Sequence, residues 1–84
     1  MAASREDVDR WINYAKDKGI RFIISVCDCF DYEDYPSYCK DFEELVSNYE
    51  YYRNANMQKI NEIIEIDGDD VTEDLRYPEE VKNK

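Results

Sequence analysis

The sequence predicts a small single-domain α+β fold with its elements in the order α-β-β-α-β. Three observations point there. Residues 4–18 and 42–52 each carry apolar side chains at helical spacing behind a capping residue. Residues 20–27 form a β-branched and aromatic run, and three isoleucines fall within residues 63–66. The arrangement expected from that order is a three-stranded, mainly antiparallel sheet with two helices on one face.

In the first helix, Ser4 is a good N-cap and Asp7 supplies an acidic partner in the first turn. Val8, Trp11, Ile12 and Ala15 fall at i, i+3, i+4 and i+7 and make one stripe. Lys16 and Lys18 complement the C-terminal dipole, and Gly19 ends the helix. The run from Ile20 to Cys27 then reads as a central strand buried largely on one face. Phe22, Ile24 and Val26 share that face, and Ile23 and Cys27 share the other. Residues 28–36 are a polar-aromatic connection. Ser37-Tyr38-Cys39 follow as a short second strand, entered through Pro36, a residue tolerated at a strand start or an edge. The two strands suggest a hairpin with a long acidic loop.

Asp41 and Glu44 repeat the capping signature, and Phe42, Leu45, Val46 and Tyr49 repeat the helical stripe. Asn54 and Asn56 interrupt it. Residues 57–66 suit a helix or a strand, and the isoleucines favour a short turn followed by a strand over 61–66. Both the Trp11 and the Phe42 stripes are expected to pack on Phe22, Ile24 and Val26. Residues 1–66 read as one compact domain, and 67–84, with Gly68, Pro78 and mixed charge, as an acidic, loosely ordered C-terminal tail.

Composition excludes several function classes. The 84 residues hold 21 acids, 11 bases and no histidine, for a net charge of −10. Such a chain has no basic footprint for direct contact with nucleic-acid phosphates. It has no apolar run of the roughly 18–20 residues that a membrane span needs, and no signal peptide opens it. Without histidine most familiar catalytic constellations cannot be assembled. Three cysteines, Cys27, Cys29 and Cys39, fit a reducing cytoplasm better than a disulfide framework. Their C-x-C spacing lacks the usual zinc pattern and a fourth ligand, so they read as small buried hydrophobes. Asp67-Gly68-Asp69-Asp70 with Glu73 and Asp74 superficially resembles a calcium loop but fails the EF-hand frame. Two glycines leave nothing to cradle a phosphate. The expectation is a non-enzyme with no cofactor and no metal.

The charge is unevenly spread. Residues 1–27 sum to +1, residues 28–50 to −7, residues 51–66 to zero and residues 67–84 to −4. Within the densest block and just beyond it, acids alternate with tyrosines. The candidate partner-binding residues are Asp28, Asp31, Tyr32, Glu33, Asp34, Tyr35, Tyr38, Asp41, Glu43, Glu44, Glu50, Tyr51 and Tyr52. A solvated acidic face is the ordinary explanation for such a run. Against it, concentrated like charge costs self-repulsion that solubility alone does not require. Tyrosine is also enriched at interface hot spots. Spaced carboxylates with flat rings offer a cationic protein what nucleic acid offers, negative charge and stacking surface.

The segment Val26-Cys27-Asp28-Cys29-Phe30-Asp31-Tyr32-Glu33-Asp34-Tyr35-Pro36-Ser37-Tyr38 resembles a stretch of small uncharacterised bacterial and phage proteins. Asn56-Met57-Gln58-Lys59 is similar too. In size, acidity and tyrosine content the chain resembles phage anti-defence proteins, the anti-CRISPR and anti-restriction inhibitors that mimic DNA. It departs from the acidic colicin-immunity type, whose all-helical order does not suit residues 20–39. The resemblance implies an inhibitor acting in the bacterial cytoplasm on a protein with a Lys/Arg-rich nucleic-acid groove, such as a CRISPR effector or a restriction enzyme. Two alternatives remain open. One is a regulatory or assembly module docking through the sheet edge at Ser37-Tyr38-Cys39. The other is a small-molecule sponge using the tyrosines as a cage.

Overall fold

Hydroxyl and carboxylate caps start both helices of the computed structural model, which describes residues 4–75. In α1 (Arg5–Lys18) the Ser4 Oγ accepts a hydrogen bond from the Asp7 amide at 3.2 Å. Gly19 closes the helix in the left-handed region, at φ 72°, and its amide returns to the Ala15 carbonyl. In α2 (Phe42–Asn54) the Asp41 Oδ1 accepts from the Glu44 amide at 2.9 Å.

Among the described residues the sheet has four strands, not the three expected. They are β1 (Phe22–Asp28), β2 (Glu33–Cys39), β3 (Gln58–Asp67) and β4 (Asp70–Leu75), in the spatial order β2-β1-β3-β4 with every neighbour antiparallel. The element order is therefore α-β-β-α-β-β. The added strand comes from residues assigned by sequence to the C-terminal tail. Asp67 pairs with Asp70 across a two-residue loop, and Gly68, at φ 63°, fills the first loop position, where a type II′ hairpin needs glycine. The acidic run with calcium-loop character is thus a hairpin turn. The remainder of that expected tail, 76–84, lies outside the described residues. Strand β2 begins at Glu33 rather than at residue 37, which shortens the hairpin loop to residues 29–32.

The helices lie on opposite faces of the sheet, a second departure from expectation. The α2 residues Leu45 and Tyr49 pack with Phe22, Ile24, Val26, Cys39, Ile63 and Leu75. Val8, Ile12 and Ala15 of α1 pack instead with Ile20, Ile23, Ile64 and Ile66. So Phe42 meets the Phe22 face, its ring edge-on to Phe22, while Trp11 covers the other. The physical reason is the unbroken burial of residues 22–27. A strand that is apolar on both sides needs a cover on both sides.

Topology gives α2 its place. Strands β2 and β3 each run antiparallel to β1, so they are parallel to one another, and α2 joins them by crossing β1. The parity of β3 changes midway. Ser25 pairs with Glu62 but Val26 pairs with Ile60, leaving Asn61 as the extra residue of a bulge. Ile60 and Ile63 therefore both face α2, while Ile64 and Ile66 face α1. This resolves the ambiguity over 57–66. It is one strand, longer than the expected 61–66, whose apolar pattern is broken by the bulge.

Candidate interaction surface at the hairpin end

The turn between β1 and β2 is closed by its own backbone. The Asp28 Oδ1 accepts from the Phe30 amide at 2.9 Å, and the Asp28 carbonyl accepts from the Tyr32 amide at 2.6 Å. The α2–β3 connection sits beside it, because the Cys29 amide donates to the Met57 carbonyl at 2.7 Å. Both loops contain a non-glycine residue in the left-handed region, Tyr32 at φ 58° and Met57 at φ 64°. Each carries a large side chain pointing to solvent.

The third component is the end of α2. After β2 the chain turns at Asp41, and the 13-residue helix, about 20 Å long, returns toward the turn. Tyr52 then packs edge-on to Tyr35 of β2 at 6.2 Å, and Tyr51 edge-on to Tyr52 at 5.0 Å. The Tyr35 hydroxyl donates to Gln58 Oε1 at the start of β3. Burial pushes the Tyr35 phenol up to about 12, with the neighbouring Tyr52 and the Asp28 carboxylate adding to the shift. Tyr35 and Tyr52 are half-buried and form the floor of this end of the molecule.

Exposed at the same end are Phe30 (75% exposed), Tyr32 (70%), Tyr51 (67%) and Met57 (52%). Among the described residues these are four of the five large apolar side chains that are exposed, and all four belong to one end. The fifth, Tyr14, stacks on Tyr38 at 4.7 Å. Asp28 and Glu33 pair at the ends of β1 and β2, Asp31 lies in the turn between them, and Glu50 precedes Tyr51 on α2. Arg53 lies 3.8 Å from Glu50, and residues 28–39 contain no base.

The fold divides the sequence-predicted residues into three groups. Asp28, Asp31, Tyr32, Glu33, Tyr35, Glu50, Tyr51 and Tyr52 come together at the hairpin end. Asp34 and Tyr38 point to the opposite face of β2, where Asp34 accepts from Asn61 Nδ2 at 2.9 Å and Tyr38 lies under Tyr14. Asp41, Glu43 and Glu44 sit at the start of α2, beyond the far end of β2 and about 20 Å from the turn. There Asp41 caps the helix, and Glu44 Oε1 accepts from the Lys40 amide at 3.3 Å. These three acids complement the helix dipole.

No family model, curated protein or solved structure matches the chain. The site's chemistry therefore rests on its own geometry. Sequence reasoning missed Phe30 and Met57 as surface residues. A signal for Phe30 was present, since an aromatic ring between Asp28 and Asp31 in a short turn has no core to join. For Met57 there was none, because its place depends on the return of α2.

The cysteines do not converge. Cys39 pairs with Phe22 and Cys27 with Asp34, at opposite ends of the β1–β2 ladder. Burial raises the thiols of both, Cys39 to about 11. Among the described residues no group of three or more His, Cys, Asp or Glu side chains is placed to hold a metal ion. No helix among them is long and apolar enough to cross a membrane.

Proposed function

We propose that the chain is a non-enzymatic inhibitor, of the phage or mobile-element anti-defence type. It binds the Lys/Arg-rich nucleic-acid groove of a bacterial protein such as a CRISPR effector or a restriction enzyme. The observation that carries this reading is the concentration of Asp28, Asp31, Glu33 and Glu50 around exposed tyrosine rings at one end of the sheet. Carboxylates on a hydrogen-bonded turn stand in for phosphates, and Tyr32 and Tyr51 stand in for bases. Asp41, Glu43 and Glu44 lie apart and give the far end of α2 a second negative group, which suits an extended groove.

The test is displacement of labelled DNA from a purified CRISPR effector or restriction enzyme. The protein should displace DNA at low salt and lose potency steeply as salt rises. Asp31→Lys with Glu33→Lys should weaken displacement by tenfold or more at low salt, mostly through slower association. Displacement insensitive to both salt and charge reversal would overturn the reading.

Sheet-edge docking is the second reading, and β2 is indeed an edge strand. Pro36 lies in its middle, and a proline with Glu33 and Asp34 on the same strand blunts an edge as a pairing template. The hairpin end is the better candidate.

A further inference from the structure

We infer that the hairpin end docks a basic amphipathic protein segment, whose apolar side chains seat on Phe30, Tyr32, Tyr51 and Met57 while its Lys and Arg meet the surrounding acids. The inference rests on the functional reading above for the sign of the partner's charge. It adds an apolar component that phosphate mimicry does not need.

Four large apolar side chains exposed at one end are costly in a domain this small, where each such side chain is needed in the core. None of the four belongs to either hydrophobic core. The backbone is also held against its preference at two of them, Tyr32 and Met57. Glycine or asparagine would satisfy either turn at lower cost and would leave no side chain to present. Phenylalanine, tyrosine and methionine are the residue types enriched in the centres of protein interfaces, and methionine's flexible thioether adapts to varied surfaces. The rim decides the occupant. Asp28, Asp31, Glu33 and Glu50 would be brought against their own copies in a self-associated pair, which like charge opposes. An anionic lipid surface is opposed on the same ground. A segment with interspersed Lys/Arg and apolar side chains satisfies both the centre and the rim.

Two synthetic peptides of equal length and charge distinguish the components. One is an amphipathic Lys/Leu helix, and the other replaces each Leu with Gly or Ser. Binding is followed by amide chemical shifts of the full chain at low and high salt. The amphipathic peptide should bind at least tenfold tighter, with shifts centred on residues 29–33, Tyr51 and Met57. Phe30→Ser with Met57→Ser should abolish that difference while leaving the thermal melt within a few degrees of the parent; Phe30→Ser alone, a change in an exposed turn, should remove most of it. Equal affinity for the two peptides would overturn the apolar anchor and leave the electrostatic reading standing. Tight amphipathic binding that ignores Asp31→Lys and Glu33→Lys would overturn the electrostatic reading instead. Shifts centred elsewhere, no binding of either peptide, or a concentration-dependent dimer lost in the Phe30→Ser/Met57→Ser protein would each overturn the inference.

Discussion

Tyr32 and Met57 show how one residue's backbone can be separated from its side chain's purpose. Left-handed backbone costs an L-residue about 1–2 kcal/mol, and neither side chain packs into a hydrophobic core. Met57→Gly should therefore leave the protein unchanged or stabilise it by about 1 kcal/mol, read from the shift of a urea midpoint. A clear loss of stability would mean that the thioether packs in solution. Tyr35 makes the opposite case, a side chain whose chemistry is set by its neighbours. Its phenol is raised to about 12, above the ordinary value of 10. Below pH 10 it is neutral whether folded or unfolded, and its contribution is constant. Above 10 the unfolded chain releases its proton first, so stability falls as pH rises towards 12. Cys39, raised to about 11 from 9, adds the same sign from pH 9 upwards. Urea midpoints between pH 8 and 11.5 should decline, and Tyr35→Phe should make the part above 10 less steep.

At the level of elements, what could be read from sequence was whatever one segment decides alone. Ser4, Asp41 and Gly19 act within a turn of their own helices, so the helix limits were legible to within two residues. The β1–β2 hairpin was legible for the same reason, though not its register, which required Val26 to meet Tyr35. What was not legible depends on a partner. Strand β4 places Val71 towards α1 and Leu75 towards α2, so its own apolar residues show no alternation, and only β3 gives it an identity. The bulge at Asn61 likewise hides the strand pattern of Ile60 and Ile63. The placement of the helices is decided by β1: its apolar run fits burial on one face or on both, and only the helices packed on each side distinguish the two. The candidate site shares this division. Asp28, Asp31, Tyr32 and Glu33 are neighbours in sequence, whereas Tyr51, Tyr52 and Met57 reach them only through the path of α2. That path is fixed by Leu45, which is fully buried between helix and sheet. Leu45→Ala should cost about 2–5 kcal/mol by chemical denaturation and expose the Tyr35–Tyr52 contact. A cost below 1 kcal/mol would show that α2 is not anchored there.

Over the whole molecule, charge and cover are arranged independently. The two cores are closed by helices of different character: α1 holds its acids and bases in local pairs, as between Arg5 and Asp9 at 2.8 Å, and Arg5 also reaches Glu73 of β4 at 3.0 Å. At the hairpin end Asp28, Asp31 and Glu33 have no base within residues 28–39, and Arg53 lies 3.8 Å from Glu50. Raising salt should therefore stabilise the fold slightly by screening this self-repulsion, even as it weakens binding to a basic partner. A melting temperature that falls between 0.05 and 0.5 M sodium chloride would contradict that picture. The position of β1 in the middle of the sheet has one more consequence, for the order in which the chain is made. When residues 1–54 have left a ribosome, α1, the hairpin and α2 can all form, yet one edge of β1 is still open. The strand that closes it, β3, has not yet emerged. Until it arrives, the nascent chain displays the most apolar strand of the protein as an unpaired template.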